Sequence, residues 1–287
     1  MKLSISVRVA EAFDNKERAS HTIAELVALA RKYRYEGVCM RASQAGVQSA
    51  PERVKAVSGA VRAAGLRISM ITGDFAVPGN GDDGPNALRH ITPYLDLAQA
   101  FDTDLIRVCM KKPEDIEWAR RASEEAGERG IRLAHQSHWS TLFETVRGAA
   151  QTLEAVGREN FGLIYEPANW MIVEEDYGPA TIRRLKPWIF NVYIQNHRVH
   201  PAGKSGVPTW VKGWVPLDHI GIWEDGGVRV DEVFAGLDAI GYAGFVTVHQ
   251  AFADVMPVED SVRQSAEFLM PLIALPGRSG KDAMART

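Results

Sequence analysis

The chain has 287 residues, a formal net charge of −3, 46% hydrophobic and 24% charged residues, and two cysteines. That length can bury one large core as a single α/β domain. The charge is balanced and offers no concentrated basic face, which excludes nucleic acid as a partner, and no apolar stretch approaches the roughly 20 residues that cross a bilayer.

Short β-type runs alternate with amphipathic helical patterns from end to end, the signature of repeated βα units around a parallel sheet. In chain order the predicted strands are Leu3–Val9, Gly37–Arg41, Arg67–Thr72, Leu105–Met110, Ile131–His135, Phe161–Tyr165, Ile189–Gln195 and Phe245–His249. Ile23, Leu26, Val27 and Ala30 are spaced i, i+3, i+4, i+7 and lay one apolar stripe along a helix, and Val233, Phe234, Leu237 and Ile240 do the same before the last strand. Ser261 with Gln264 predicts a capping box opening a final helix. Eight βα pairs suit a closed barrel, which leaves no edge strand. The expected fold is a single (β/α)8 TIM barrel over residues 1–276, followed by a loose C-terminal tail over 277–287. Cys39 and Cys109 lie in separate apolar runs and make no disulfide framework. No signal segment precedes the first strand, so the expected compartment is the cytoplasm.

The longer Gly-, Pro- and Asn-rich segments, Val77–Pro85, His197–Val215 and Ile220–Gly227, follow strands rather than precede them. In a barrel these loops build the active-site face. Gly79-Asn80-Gly81-Asp82-Asp83-Gly84 matches the letters of a dinucleotide fingerprint. Two aspartates inside the pattern are incompatible with a pyrophosphate cradle, and the segment reads as a loop.

The histidines carry more information. His135, His138, His197, His200 and His249 lie at or just after three strands of the second half, and Glu166 ends an apolar strand between them. Any one strand-end histidine is commonly a packed, hydrogen-bonded residue. A carboxylate and several imidazoles converging on one mouth, however, are the ligand chemistry of a divalent transition metal. An apolar strand should not end in an inward carboxylate unless something pairs with it, which singles out Glu166. Arg8, Arg41 and Arg107 fall at or near the ends of strands of the first half and could orient a substrate carboxylate, phosphate or diol. Arg198 and Asn169 join them as candidate substrate contacts, and the aromatics Phe75, Trp139, Trp170, Tyr193 and Trp210 suit a sugar ring over a polar site.

The segments Ile131–His138, Gly162–Asn169 and Gly241–His249 together make the chain resemble the xylose isomerase-like superfamily of TIM barrels, which includes sugar phosphate isomerases and epimerases. The resemblance covers most of the chain. It implies one divalent metal, with Mn expected and Zn, Co or Fe as alternatives, held by residues of strands five to eight. Carried over by position, the ligands are Gln136, Glu166 and His249, with Gln195 or His197 for the seventh strand, where Tyr193 stands in place of the usual histidine. The two proton-shuttling glutamates of the family's epimerases are both replaced, and Gln136 cannot act as a base. His138 and His249 remain as candidate acid/base groups beside Glu166. The resemblance implies a metal-dependent sugar, sugar-acid or keto-sugar isomerase or epimerase working through an enediolate. The alternatives are a lyase or dehydratase eliminating from a keto-sugar or keto-glycoside, and a non-catalytic or partner-dependent carbohydrate-binding subunit. A small carbohydrate-like substrate and a homo-oligomer, dimer or tetramer, are expected.

Overall fold

The computed structural model describes residues 1–12, 16–72 and 82–274. Its strands in chain order are β1 (Lys2–Ser6), β2 (Gly37–Met40), β3 (Arg67–Thr72), β4 (Leu105–Val108), β5 (Arg132–Gln136), β6 (Phe161–Tyr165), β7 (Ile189–Ile194), β8 (His197–Val199), β9 (Ser205–Thr209), β10 (Gly213–His219) and β11 (Phe245–Val248). Strands β1–β7 and β11 close into one barrel in the order β1-β11-β7-β6-β5-β4-β3-β2. Every barrel pairing is parallel, and closure rests on β1 lying between β11 and β2. The eight predicted strands are therefore the barrel strands, with ends displaced by up to three residues. The first is cut short because Ser6 Oγ accepts from the Arg8 backbone N–H at 3.2 Å, turning Val7–Ala10 into a 3-10 helix.

The helices are α1 (Ile23–Lys32), α2 (Pro51–Ala63), α3 (Asn86–Arg89), α4 (Thr92–Ala100), α5 (Asp115–Glu128), α6 (Val146–Val156), α7 (Pro167–Ile172), α8 (Pro179–Leu185), α9 (Val230–Ala239) and α10 (Val258–Ala274). Helix α1 buries the predicted stripe of Ile23, Leu26, Val27 and Ala30. It opens on a capping box between Thr22 and Glu25 that satisfies two first-turn donors. The box expected at Ser261 and Gln264 does not form: α10 has already started at Val258, and Ser261 is a buried residue of its body.

Strand alternation divides the barrel into two surfaces. Outward residues such as Ile5, Val38, Ile106, Leu133 and Val246 join the main core under the helices. Inward residues Cys39, Met70, Leu105, Ala134, Ile164 and Tyr193 form a separate apolar plug inside the barrel. Side chains repeat every two residues along a strand, so the inward positions one step toward the carboxyl ends are Arg41, Thr72, Arg107, Gln136, Glu166 and Gln195. An apolar layer thus lies directly beneath a polar one.

The segment His197–Val215, read as a loop, is largely sheet. Strands β8 and β9 flank β10 in antiparallel order. Val207, Thr209, Val215 and Leu217 are buried while Pro208 and Trp214 are exposed, a period-two pattern hidden among prolines and glycines. The apolar side of this sheet rests on Ile172 and Val173, with Trp139 and Met171 at its margin, and roofs the barrel mouth. Asn196, at the end of β7, ties the insertion together. Its Oδ1 accepts from His197 N (3.0 Å) and Val228 N (2.8 Å), and its Nδ2 donates to the Gly221 and Glu224 carbonyls (3.2 and 3.0 Å). Residue 227 has to be glycine, since a Cβ there would stand 2.0 Å from Asn196 Oδ1.

Candidate active site

Under the roof the polar layer encloses a small cavity of about 50 Å³, lined by Arg8, Lys16, Arg41, Arg107, Gln136, His138, Trp139, Gln195, His197, Val207 and His249. Nine of these residues were expected from the sequence as substrate, metal or acid/base groups. Lys16 and Val207 were not, and Trp139 stood only as a substrate contact. No carboxylate lines the cavity among the described residues; four cationic side chains do.

Glu166 belongs to the same layer without lining the cavity and is fully buried at the N-cap position of α7. Its Oε2 accepts from Gln136 Nε2 and, at 2.6 Å, from Asn169 Nδ2. Asn169 also donates to the Ser137 carbonyl at 2.8 Å, so it holds Glu166 and does not face substrate. Burial raises the Glu166 pKa to about 7, against the opposing pull of Gln136, Arg107, Gln195 and Arg8. Gln195 approaches closely enough to favour the charged form, yet gives Oε1 no hydrogen bond of ordinary geometry.

The cationic side is organised by Glu11, a residue that no sequence pattern announced. Fully buried, it accepts from Arg41 Nε with both oxygens (3.1 and 2.9 Å), from Ser43 Oγ (2.6 Å) and from Arg8 Nη1 (3.4 Å). Arg8 also donates to the Ala12 carbonyl at 2.6 Å. Its own burial, together with the charge of Arg41, lowers its pKa to about 10. A single carboxylate therefore knits two of the guanidiniums of the mouth.

Three imidazoles face this charge. His138 Nδ1 donates to the Trp139 carbonyl at 2.8 Å, which leaves Nε2 as the ring's acceptor. His249 stacks on Tyr193 with centroids 3.8 Å apart and shares a hydrogen bond of 3.1 Å between Nδ1 and Ser6 Oγ. Both are held well below the usual imidazole range, by burial first and then by Arg107 for His138 and by Arg41, Arg107 and Arg8 for His249. His197 shares a contact of 3.1 Å between Nδ1 atoms with His219, on β10, and burial lowers the pKa of the pair to about 3 and about 4. All four rings are neutral near pH 7. Strand alternation within Gly213–His219 would have been the signal for His219, had that segment been read as a strand.

Other expectations are corrected. His135 points outward from β5 and stacks on Phe143 at 4.0 Å, because it occupies the opposite parity to Gln136. His200 pairs with Asp218 at 2.5 Å on the roof sheet. Trp170 is not a substrate or contact surface: α7 turns it into the core, where Nε1 donates to the Phe143 carbonyl at 3.1 Å. Arg198 is exposed on β8 and donates to the Asp225 carbonyl, clear of the cavity. Tyr193 belongs to the apolar plug. Trp210 is exposed on the roof, and Phe75 and residues 79–81 of the Gly79–Gly84 segment lie outside the described residues.

The metal implied by the sequence resemblance is not matched by this donor set. No group of three or more His, Cys, Asp or Glu side chains could hold an ion among the described residues. The nearest carboxylate, Glu166, already receives two amide N–H groups on one oxygen. The remaining candidates, Gln136, Gln195, His197 and His249, stand among four cations that would repel a divalent ion.

A closed eight-stranded barrel with its polar groups at the carboxyl ends of the strands is an enzyme-bearing architecture. A family model described as xylose isomerase-like TIM barrel matches residues 27–272, and the chain belongs to that family. No curated protein sequence matches it. Among solved structures it is similar to a probable 3-DHS dehydratase, AsbF, involved in petrobactin synthesis in Bacillus anthracis. The identity is 18% and the TM-score 0.68, with 94% of this chain and 99% of that one covered. The IOLI protein with a bound zinc atom aligns at 12% identity and TM-score 0.71, covering 97% and 100%. A D-allulose 3-epimerase from Methylomonas sp. aligns at 15% and 0.65, covering 95% and 98%. Identities this low share the fold. Among the described residues no helix is long and apolar enough to cross a membrane.

Proposed function

We propose that this protein is an isomerase of the sugar or sugar-acid class, moving a proton at the carbon beside a carbonyl through an enediolate held in the mouth cavity. The observation that carries this reading is the placement of His138. Its Nδ1 is committed to a backbone carbonyl, so Nε2 offers a lone pair on a residue that lines a pocket with four cationic side chains. A neutral imidazole removes the proton, and the negative charge that develops on the substrate oxygens falls among Arg8, Arg41, Arg107 and Lys16. The imidazolium then returns the proton to the former carbonyl carbon, while the hydroxyl proton passes from one substrate oxygen to the other. Burial is the main cause of the low basicity of His138, and a substrate anion opposes the further lowering by Arg107 and Lys16, which raises its basicity in the complex.

Glu166 acts as a positioning residue: it fixes the Gln136 amide, and with it the floor of the cavity. One base on one face supports isomerisation better than two-base epimerisation, because both glutamates of the epimerase pattern are carboxamides or imidazoles here. The same observation favours one second reading, a lyase in which the imidazolium protonates a β-leaving group.

Proton NMR in D2O across a panel of ketoses and sugar acids tests both. Isomerisation gives solvent exchange and an isomeric product, whereas elimination gives an unsaturated or dehydrated one. His138→Asn should lower the rate by about 10²–10⁴-fold with the fold retained. Absence of exchange and product across the panel would remove the catalytic reading.

A further inference from the structure

Two kinds of buried polar atom at the mouth lack a hydrogen-bond partner among the described residues, and they are complementary. On the cationic side, Arg41 is 2% exposed; Glu11 takes its Nε, while Nη1 is buried without a partner. On the floor, Gln136 Oε1 and Glu166 Oε1 are buried acceptors in the same condition. The Gln136 amide cannot be turned to change this, because its N–H is the group that faces the Glu166 carboxyl. A donor carrying full positive charge and a neutral acceptor, on two residues that line one small cavity, describe the inverse of what fits there.

A guanidinium N–H calls for an anionic oxygen, and a carboxamide oxygen calls for a hydroxyl. We propose that the ligand is a hydroxy acid: its carboxylate is taken by Arg41 within the Arg8, Arg107 and Lys16 field, and its neighbouring hydroxyl donates to Gln136 Oε1. A phosphate fits less well, since its additional anionic oxygens would face the acceptors on the floor. The cavity, about 50 Å³, holds only the carboxylate end of such a molecule. This assignment rests on the reading of the cavity as the active site and narrows its substrate to a sugar acid rather than a neutral sugar.

The test is isothermal titration of the full-length protein with glycolate, with glycolamide as its uncharged counterpart, and with inorganic phosphate. Glycolate is expected to bind, glycolamide about tenfold more weakly or worse, and phosphate more weakly than glycolate. Arg41→Gln should weaken glycolate by about tenfold while leaving glycolamide unchanged. The wild-type comparison stands without the variant, should that variant not fold. Equal binding of glycolate and glycolamide, or phosphate binding more tightly than glycolate, would overturn the hydroxy-acid assignment. The readout is binding and not turnover. A protein that binds glycolate yet exchanges no proton refutes the catalytic reading alone, and one that isomerises neutral ketoses while ignoring glycolate refutes this assignment alone.

Discussion

Replacing Glu166 by glutamine keeps its shape and removes its titration. The native carboxyl has a pKa of about 7 against an ordinary value of 4.5, with burial as the principal cause. A folded-state pKa raised above the unfolded one favours folding fully below pH 4.5, and this contribution is lost as pH rises to about 7. The displacement of roughly 2.5 units corresponds to about 3 kcal/mol. Fixed costs of the substitution, such as the new amide donor where Oε1 stood, do not vary with pH and cancel in a comparison across pH. Urea unfolding of both proteins at pH 4.5 and pH 8.5 measures it. The stability of Glu166→Gln relative to wild type should improve by about 3 kcal/mol between the two conditions. A difference that stays flat would mean that Glu166 ionises normally in the folded protein, and the account of a buried carboxyl pressed against amides would be refuted.

Three further outcomes are expected. Dialysis against EDTA should leave activity and thermal midpoint unchanged, because the donor set does not suit a divalent ion; activity lost with the chelator and restored by Mn or Zn would reverse that conclusion. Trp170→Ala should cost about 3–5 kcal/mol in denaturant unfolding, since the ring is fully buried and its Nε1 is hydrogen-bonded; a cost below about 1 kcal/mol would return Trp170 to the surface. Glu144 accepts from the backbone N–H groups of Ser140, Trp210 and Val211 at 2.5, 2.9 and 2.8 Å and so pins the turn between β9 and β10. Glu144→Ala should speed tryptic cleavage at Lys212 by about tenfold, reflecting the loss of charge-assisted hydrogen bonds. Unchanged cleavage would show that the apolar contacts to Ile172 and Val173 suffice.

The barrel was legible because its information is local. A strand needs only a short apolar run, and eight such runs with helices between them leave few alternatives. Much of the mouth was legible for the same reason: Arg41, Gln136, Glu166 and Gln195 each sit two residues beyond an inward apolar residue, so strand periodicity alone aims them at one place. What stayed hidden depends on long-range meeting. Glu11 lies in an irregular segment, and its role exists only once Arg8 and Arg41 are brought against it. His135 and Trp170 look like site residues by type, yet parity in one case and a short helix in the other turn them away. The roof sheet was obscured by its glycines and prolines, which carry loop statistics even where the backbone is extended. Whether the donor set suits a metal was not legible either, since residue type identifies donors but not the charge of the compartment in which they gather.

The knot at Asn196 has a consequence for how this mouth can change. One side chain grips the first residue of the insertion, His197, and the backbone of Val228 near its end, with Gly221 and Glu224 between. The two ends are thereby held at a fixed separation set by the barrel, and lengthening the stretch between them adds only a slowly growing closure entropy. The roof is thus an exchangeable cassette on a fixed frame. Selection can rewrite the cover while the polar layer at the barrel mouth stays as it is.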